Sequence, residues 1–148
     1  MWARKRLDIG YTDLACGLLD CLLPHRCDVA ERLLAEAGQG KDTSFVACTS
    51  VRSGFDLLLQ VLQLPQGSEI LISAITIPDS PRIIKHHGLV PVPIDIDRQS
   101  AAPQVSLLPH AHSPRTRALI VAHLFGSCVP LEPYVEFARQ HNLMLIED

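Results

Sequence analysis

The strongest constraint on the fold is a set of short apolar runs that do not alternate with polar residues. Glu69-Ile-Leu-Ile-Ser73, Arg117-Ala-Leu-Ile-Val-Ala-His123 and Leu143-Met-Leu-Ile146 each have the length of a strand and are rich in aliphatic residues. A strand with one wet face shows a polar residue at every second position, so these strands are expected to be covered on both faces. Between them the period changes. Val51, Phe55, Leu58, Leu59 and Leu62 share one helical face, and Pro78 opens a short helix through Ile83 and Ile84 that Gly88 ends. Leu131, Tyr134, Val135 and Ala138 mark another helix, with Glu132 and Glu136 early and Arg139 and His141 late, the order that suits the helix dipole. Strands and helices in alternation predict an α/β domain, three-layer αβα with a mostly parallel sheet. Val90-Pro-Val-Pro-Ile94 is also extended, and its prolines, which cannot donate to a ladder, place it at a sheet edge. Residues 98–116, rich in Pro, Ser and His, read as a loop with one helical turn.

The N-terminal part reads differently. Asp28-Val-Ala-Glu31 has the pattern of a capping box, followed by Val29, Ala30, Leu33, Leu34 and Ala37 at helical spacing and a terminating Gly38. Ser44-Phe-Val-Ala-Cys48 is a compact apolar run that reads as a strand, ending in the turn Thr49-Ser50. The expected organisation is a helical segment over residues 1–40 and an α/β domain over residues 41–148. A chain of 148 residues has room for one such core.

Composition excludes several classes. Thirteen basic and sixteen acidic residues leave a net charge of −3, so no global field draws in nucleic acid or an anionic membrane. No apolar run reaches the roughly 18 residues of a membrane span. Asp8 and Asp13 interrupt the region where a secretory signal would need its apolar core, so a cytoplasmic location is expected. The five cysteines, an odd number without regular spacing, are expected to be reduced and mostly buried. Cys16, Cys21, His25 and Cys27 lack a paired C-x-x-C, so no metal site is expected. Gly38-Gln-Gly40-Lys41-Asp-Thr43 follows a helix rather than a strand and lacks the first glycine of a phosphate loop.

Two places carry chemistry. The turn Thr49-Ser50-Val51-Arg52-Ser53 joins a strand to a helix, so its free N–H groups and the helix dipole favour an anion, with Arg52 and the hydroxyls adding charge-assisted bonds. Ser and Thr are equally ordinary N-caps with no ligand. The second place is Glu147-Asp148, two carboxylates at the C-terminal end of an apolar strand, where ligands bind in open α/β sheets.

Taken in order, several blocks resemble the first part of the DegT/DnrJ/EryC1/StrS sugar aminotransferases, pyridoxal-phosphate (PLP) enzymes of fold type I. They are the Thr49-Ser50 turn, Pro65 to Ile77, Gly88 to Asp95, Pro114-Arg-Thr116-Arg, Ala122-His123-Leu-Phe-Gly126 and Leu145-Ile-Glu-Asp148. The resemblance covers roughly residues 40 to 148 and implies a partial PLP-transferase major domain. It implies that Ser50, Val51 and Arg52 hold the cofactor phosphate, with Val and Arg standing where the family has Gly and Thr. Ile77 takes the place of the aromatic residue that stacks on the pyridine ring, His123 lies near the cofactor, and Asp148 pairs with the ring nitrogen. The Schiff-base lysine of the family comes further along, and Lys5, Lys41 and Lys85 do not match it. The implied partners are a nucleotide-linked keto-sugar, an amino-acid donor such as glutamate, and a second subunit or a completing chain. A non-catalytic partner or remnant docking on a full-length aminotransferase, and a small α/β domain binding a phosphate ligand, are the alternatives.

If the sheet lacks the family's later strands, Leu143 to Ile146 leaves an apolar edge unpaired, which invites association. Size-exclusion chromatography with light scattering is therefore expected to show self-association. A monodisperse monomer with a cooperative thermal transition would contradict it.

Overall fold

The computed structural model describes residues 10–22, 46, 48–124 and 127–148. The chain forms two compact units, Met1–Ala47 and Cys48–Asp148. In the first, helix α1 spans Tyr11–Leu22. The Asp13 carboxylate accepts a hydrogen bond from the Gly10 N–H at 2.8 Å, satisfying a donor at the helix start. Tyr11, Leu14, Leu18 and Leu22 fall at helical spacing on one stripe, and all are exposed. The expected helix after Asp28 lies outside the described residues, as does most of the expected strand Ser44–Cys48.

The second unit begins with α2 (Val51–Leu62) and continues through β1 (Glu69–Ser73), α3 (Asp79–His86) and β2 (Val90–Ile94). A 3₁₀ turn (Val105–Leu107) leads directly into the single turn α4 (Leu108–Ala111), and β3 (Thr116–Val121), α5 (Glu132–Gln140) and β4 (Met144–Glu147) follow. The strands form a four-stranded parallel sheet in the order β2-β1-β3-β4. This is the expected α/β class, with β2 at an edge as its prolines require. The helix α2 stops earlier than Gln66-Gly-Ser: its C-cap is Gln63, which adopts φ 46°. The third strand ends at Val121, short of His123.

Non-alternating strands imply two covered faces, and both are present. Ile70 and Ile72 of β1 and Ala118 and Ile120 of β3 face Leu59 of α2 and Ile84 of α3. Leu71, Leu119 and Val121 point the other way, against Leu108 of α4 and Tyr134 and Phe137 of α5. Successive side chains of a strand thus enter opposite cores, completing the three layers. Tyr134 ties the long loop to this second core, its hydroxyl donating to the Pro103 carbonyl at 2.6 Å; burial, and secondarily Asp97, raises its pKa. Gly88 has φ 70°, a conformation open to glycine, and its carbonyl accepts from Gly67 N–H at 2.9 Å, closing the entry to β2.

The described cysteines, Cys16, Cys21, Cys48 and Cys128, are free, as expected, but they are exposed and not buried. They lie on α1 and in the segments before α2 and after β3, whereas the cores are filled by strand and helix positions that carry Ile, Leu, Val and Ala. No helix among the described residues is long and apolar enough to cross a membrane.

At the N-terminal end of the sheet, Glu69 is only 6% exposed yet charged. Its carboxylate accepts from Ser113 Oγ at 2.5 Å, Arg115 at 2.6 Å and Thr116 Oγ1 at 3.3 Å. The Ser113 bond and then Arg115 and Thr116 hold its pKa below the ordinary value, against the opposing effect of burial. Nearby, the rings of His112 and His141 lie 4.2 Å apart beside Phe137. Burial, and then the neighbouring His141, depress the His112 pKa, with Glu69 acting the other way.

Both shifts are downward, so the folded chain binds fewer protons than the unfolded chain, and both stabilise the fold only at higher pH. Chemical denaturation at a series of pH values is expected to show stability falling first below about pH 6.5, through His112, and again below about pH 4.3, through Glu69. His112→Gln should remove the first decline. Glu69→Gln should cost about 1–3 kcal/mol at neutral pH and remove the second.

Candidate active site

Because the sheet is parallel, the residues that follow β1, β3 and β4 emerge at one edge. Ile77 follows β1, His123 follows β3 and Asp148 follows β4. The start of α2 is tied to the same edge, since Arg52 Nε lies 3.0 Å from the Oδ2 of Asp79, the first residue of α3. The residues singled out in the sequence therefore share one rim.

The turn before α2 has a specific cap. Ser50 is extended (φ −159°, ψ 159°) and its Oγ accepts the Ser53 N–H at 3.1 Å. In return Ser53 Oγ accepts the Ser50 N–H at 3.0 Å and lies 2.8 Å from the Ser50 carbonyl, with Thr49 Oγ1 at 3.2 Å. This is a reciprocal capping box in which serine replaces the usual Glu or Gln at the third helical position. Ser50 and Ser53 thus satisfy each other, leaving the Val51 and Arg52 N–H groups without acceptors among the described residues. The helix opens at Val51 without a positive φ, so valine carries no conformational penalty there, and Gly54 lies within the first turn.

Arg52 is 65% exposed and its pairing with Asp79 is a surface pair, worth about 0–1 kcal/mol. Arg82 shares the same carboxylate at 3.4 Å. Such a pair can be exchanged for a doubly charged phosphate, which offers more acceptors. Ile77, in the segment after β1, is half exposed.

His123 and Asp148 are joined through the backbone. The Asp148 N–H donates to the Val121 carbonyl at 2.9 Å, and the His123 N–H donates to the Asp148 carbonyl at 2.7 Å. Both ring nitrogens of His123 are engaged: Nδ1 accepts the Val129 N–H at 3.0 Å, and Nε2 lies 2.7 Å from Glu147 Oε1. The Asp148 carboxylate carries no hydrogen bond from the described residues, and the residue is exposed. Ser73, the last residue of β1, has a buried hydroxyl without a partner among the described residues. No cluster of three or more His, Cys, Asp or Glu side chains among them could hold a metal ion.

The residues named from the sequence, the turn Ser50 to Arg52, Ile77, His123 and Asp148, lie at this rim, whereas Ser53 as the cap, Asp79 as the partner of Arg52 and Glu147 as the partner of His123 were not expected. A hydroxyl at both the N-cap and third helical positions signals the first, and an acidic residue directly after Pro78 signals the second. The third required the register of β3 against β4.

Residues 31–148 match the DegT/DnrJ/EryC1/StrS aminotransferase family, and the chain belongs to it. It is 30% identical over 103 residues to GDP-perosamine synthase of Caulobacter vibrioides, covering 70% of this chain and 28% of that protein. A similar match, 29% over 103 residues with the same coverage, joins it to UDP-N-acetyl-3-dehydro-alpha-D-glucosamine 3-aminotransferase of Acidithiobacillus ferrooxidans. The chain spans about 28% of the length of these relatives. Among solved structures, a DegT DnrJ EryC1 StrS aminotransferase from Brucella abortus superposes with a TM-score of 0.71 at 23% identity, over 82% of this chain and 35% of that one. NtdA of Bacillus subtilis, which carries the cofactor PMP, superposes with a TM-score of 0.58 at 24% identity, over 64% and 22% of the two chains.

If Arg52 is free to exchange partners, Asp79→Asn should tighten binding of inorganic phosphate by roughly 1.5- to 5-fold, and Arg52→Ala should weaken it. Calorimetric titration checks both, and the effects should shrink with added salt.

Proposed function

We propose that this chain forms part of a PLP-dependent aminotransferase acting on keto-sugars attached to nucleotides, with an amino acid such as glutamate as donor. The observation that carries this reading is the convergence at one sheet edge of an anion-competent helix start and an exposed strand-end carboxylate, in a member of this family. The Val51 and Arg52 N–H groups and the Arg52 guanidinium would hold the phosphate, with Ser50 fixing the turn through its bonds to Ser53. Ile77 would cover a ring face and Asp148 would meet the ring nitrogen.

When bound, PLP supplies an electron sink for removal of the substrate's Cα proton. The contribution of Asp148 is a negative charge that keeps the ring nitrogen protonated. Arg52 would neutralise the phosphate, exchanging its exposed contact with Asp79 for it. No residue described here supplies the covalent anchor or the base: Lys85, in the last turn of α3, stands at the end of that helix away from the Arg52–Asp79 pair. Those functions are assigned to a lysine outside these residues, in a continuation of the same polypeptide or in a completing chain seated on β4. Dimeric assembly and a cytoplasmic setting accompany this reading, as does the division of the chain into an N-terminal helical segment and a partial major domain.

Native mass spectrometry and PLP absorbance titration test the proposal. A noncovalent PLP adduct is expected that borohydride does not fix to the chain. Asp148→Asn and Arg52→Ala should each weaken it by about tenfold, the loss of a charge-assisted bond. An adduct indifferent to both substitutions would overturn the reading, as would transfer of the amino group by this chain alone.

A further inference from the structure

The geometry points to His123 as a positioning residue for Asp148, acting through Glu147 as a clasp that closes the ends of β3 and β4. This inference rests on the assignment of Asp148 to the ring nitrogen. A backbone N–H can only donate, so the Val129 contact makes His123 Nδ1 an acceptor. The ring is then the neutral form protonated at Nε2, and that N–H donates to the Glu147 carboxylate. His123 therefore has no ring donor or acceptor left for a cofactor.

Its bonds instead hold three pieces of chain. The main-chain N–H of His123 fixes the Asp148 carbonyl, its Nε2 fixes the side chain immediately before Asp148, and its Nδ1 fixes the segment after β3 at Val129. His123 is 24% exposed in its side chain and Glu147 55%, so the clasp lies at the rim itself. β4 is paired only with β3 among the described strands. The last rung and this clasp are accordingly what set the direction in which Asp148 leaves the sheet, and pre-setting a charged group in this way is a recurrent route to tight binding.

Two ligands separate positioning from general structure. Inorganic phosphate reports on the start of α2 alone, whereas PLP reports on that site together with Asp148. Glu147→Ala and His123→Ala are expected to weaken PLP by about three- to tenfold while leaving inorganic phosphate affinity unchanged. Glu147→Gln, which keeps an oxygen acceptor for Nε2–H, should restore most of the loss. Nitrogen-15 NMR of the histidine ring should show protonation at Nε2 and not at Nδ1. Equal losses for both ligands, unchanged PLP affinity in both alanine variants, or an Nδ1-protonated ring would each overturn the inference. If Asp148→Asn weakens PLP while the alanine variants do not, only the clasp fails. If Asp148→Asn also has no effect, the assignment of Asp148 fails and the clasp falls with it.

Discussion

A charged carboxylate buried at the start of the central strand governs how this unit holds together. Glu69 lies in β1, between β2 and β3, and its three side-chain partners all come from the segment that leads into β3. The same residue donates its N–H to the Arg115 carbonyl at 2.9 Å, and a register irregularity separates it from Ile70. A carboxylate left unpaired there would be intolerable, so the polar contacts fix one alignment of β1 against β3. From that alignment follow the alternating core contacts of both strands and the level at which their far ends emerge. The rim that collects Ile77, His123 and Asp148 is thus placed in part by bonds made at the opposite end of the sheet.

The helix start and the strand ends use different means to present charge. At α2, side-chain hydroxyls saturate some of the N–H groups and leave others open, so the anion-competent part is narrower than the sequence Ser50-Val51-Arg52 implies. Along β4, backbone and imidazole bonds occupy everything around Asp148 except its own carboxylate. In both places neighbouring polar groups are spent on geometry, and a small number of groups remain for a ligand.

Much of the fold was legible because its signals are local. Uniformly apolar strands announce burial on both faces, prolines announce the edge position of β2, and the apolar spacing of α2 and α5 follows the face that each buries. The rest depended on long-range facts. The partners of Glu69 lie 44 to 47 residues away, and no periodicity encodes them. Cysteine's tendency toward burial misled because these cysteines occupy a helix with an open face and the segments flanking the rim. For the candidate site, the turn at Ser50 and the strand end at Asp148 were legible in the pattern of residues, whereas Ile77 and His123 came only from the family resemblance. Their roles were not legible, since Arg52 and His123 are defined by what they already bind.

The strand order β2-β1-β3-β4 also has a consequence for assembly in time. The first described strand, β1, is internal, and each later one adds to an outer side of what exists: β2 to one flank, β3 to the other, β4 beyond β3. No described strand has to insert between two earlier ones, so the sheet can grow outward as the chain leaves the ribosome, in the direction of synthesis. Each addition closes a long crossover, which slows it relative to a hairpin. Asp148 joins the rim only when β4 docks, after the other described strands have paired.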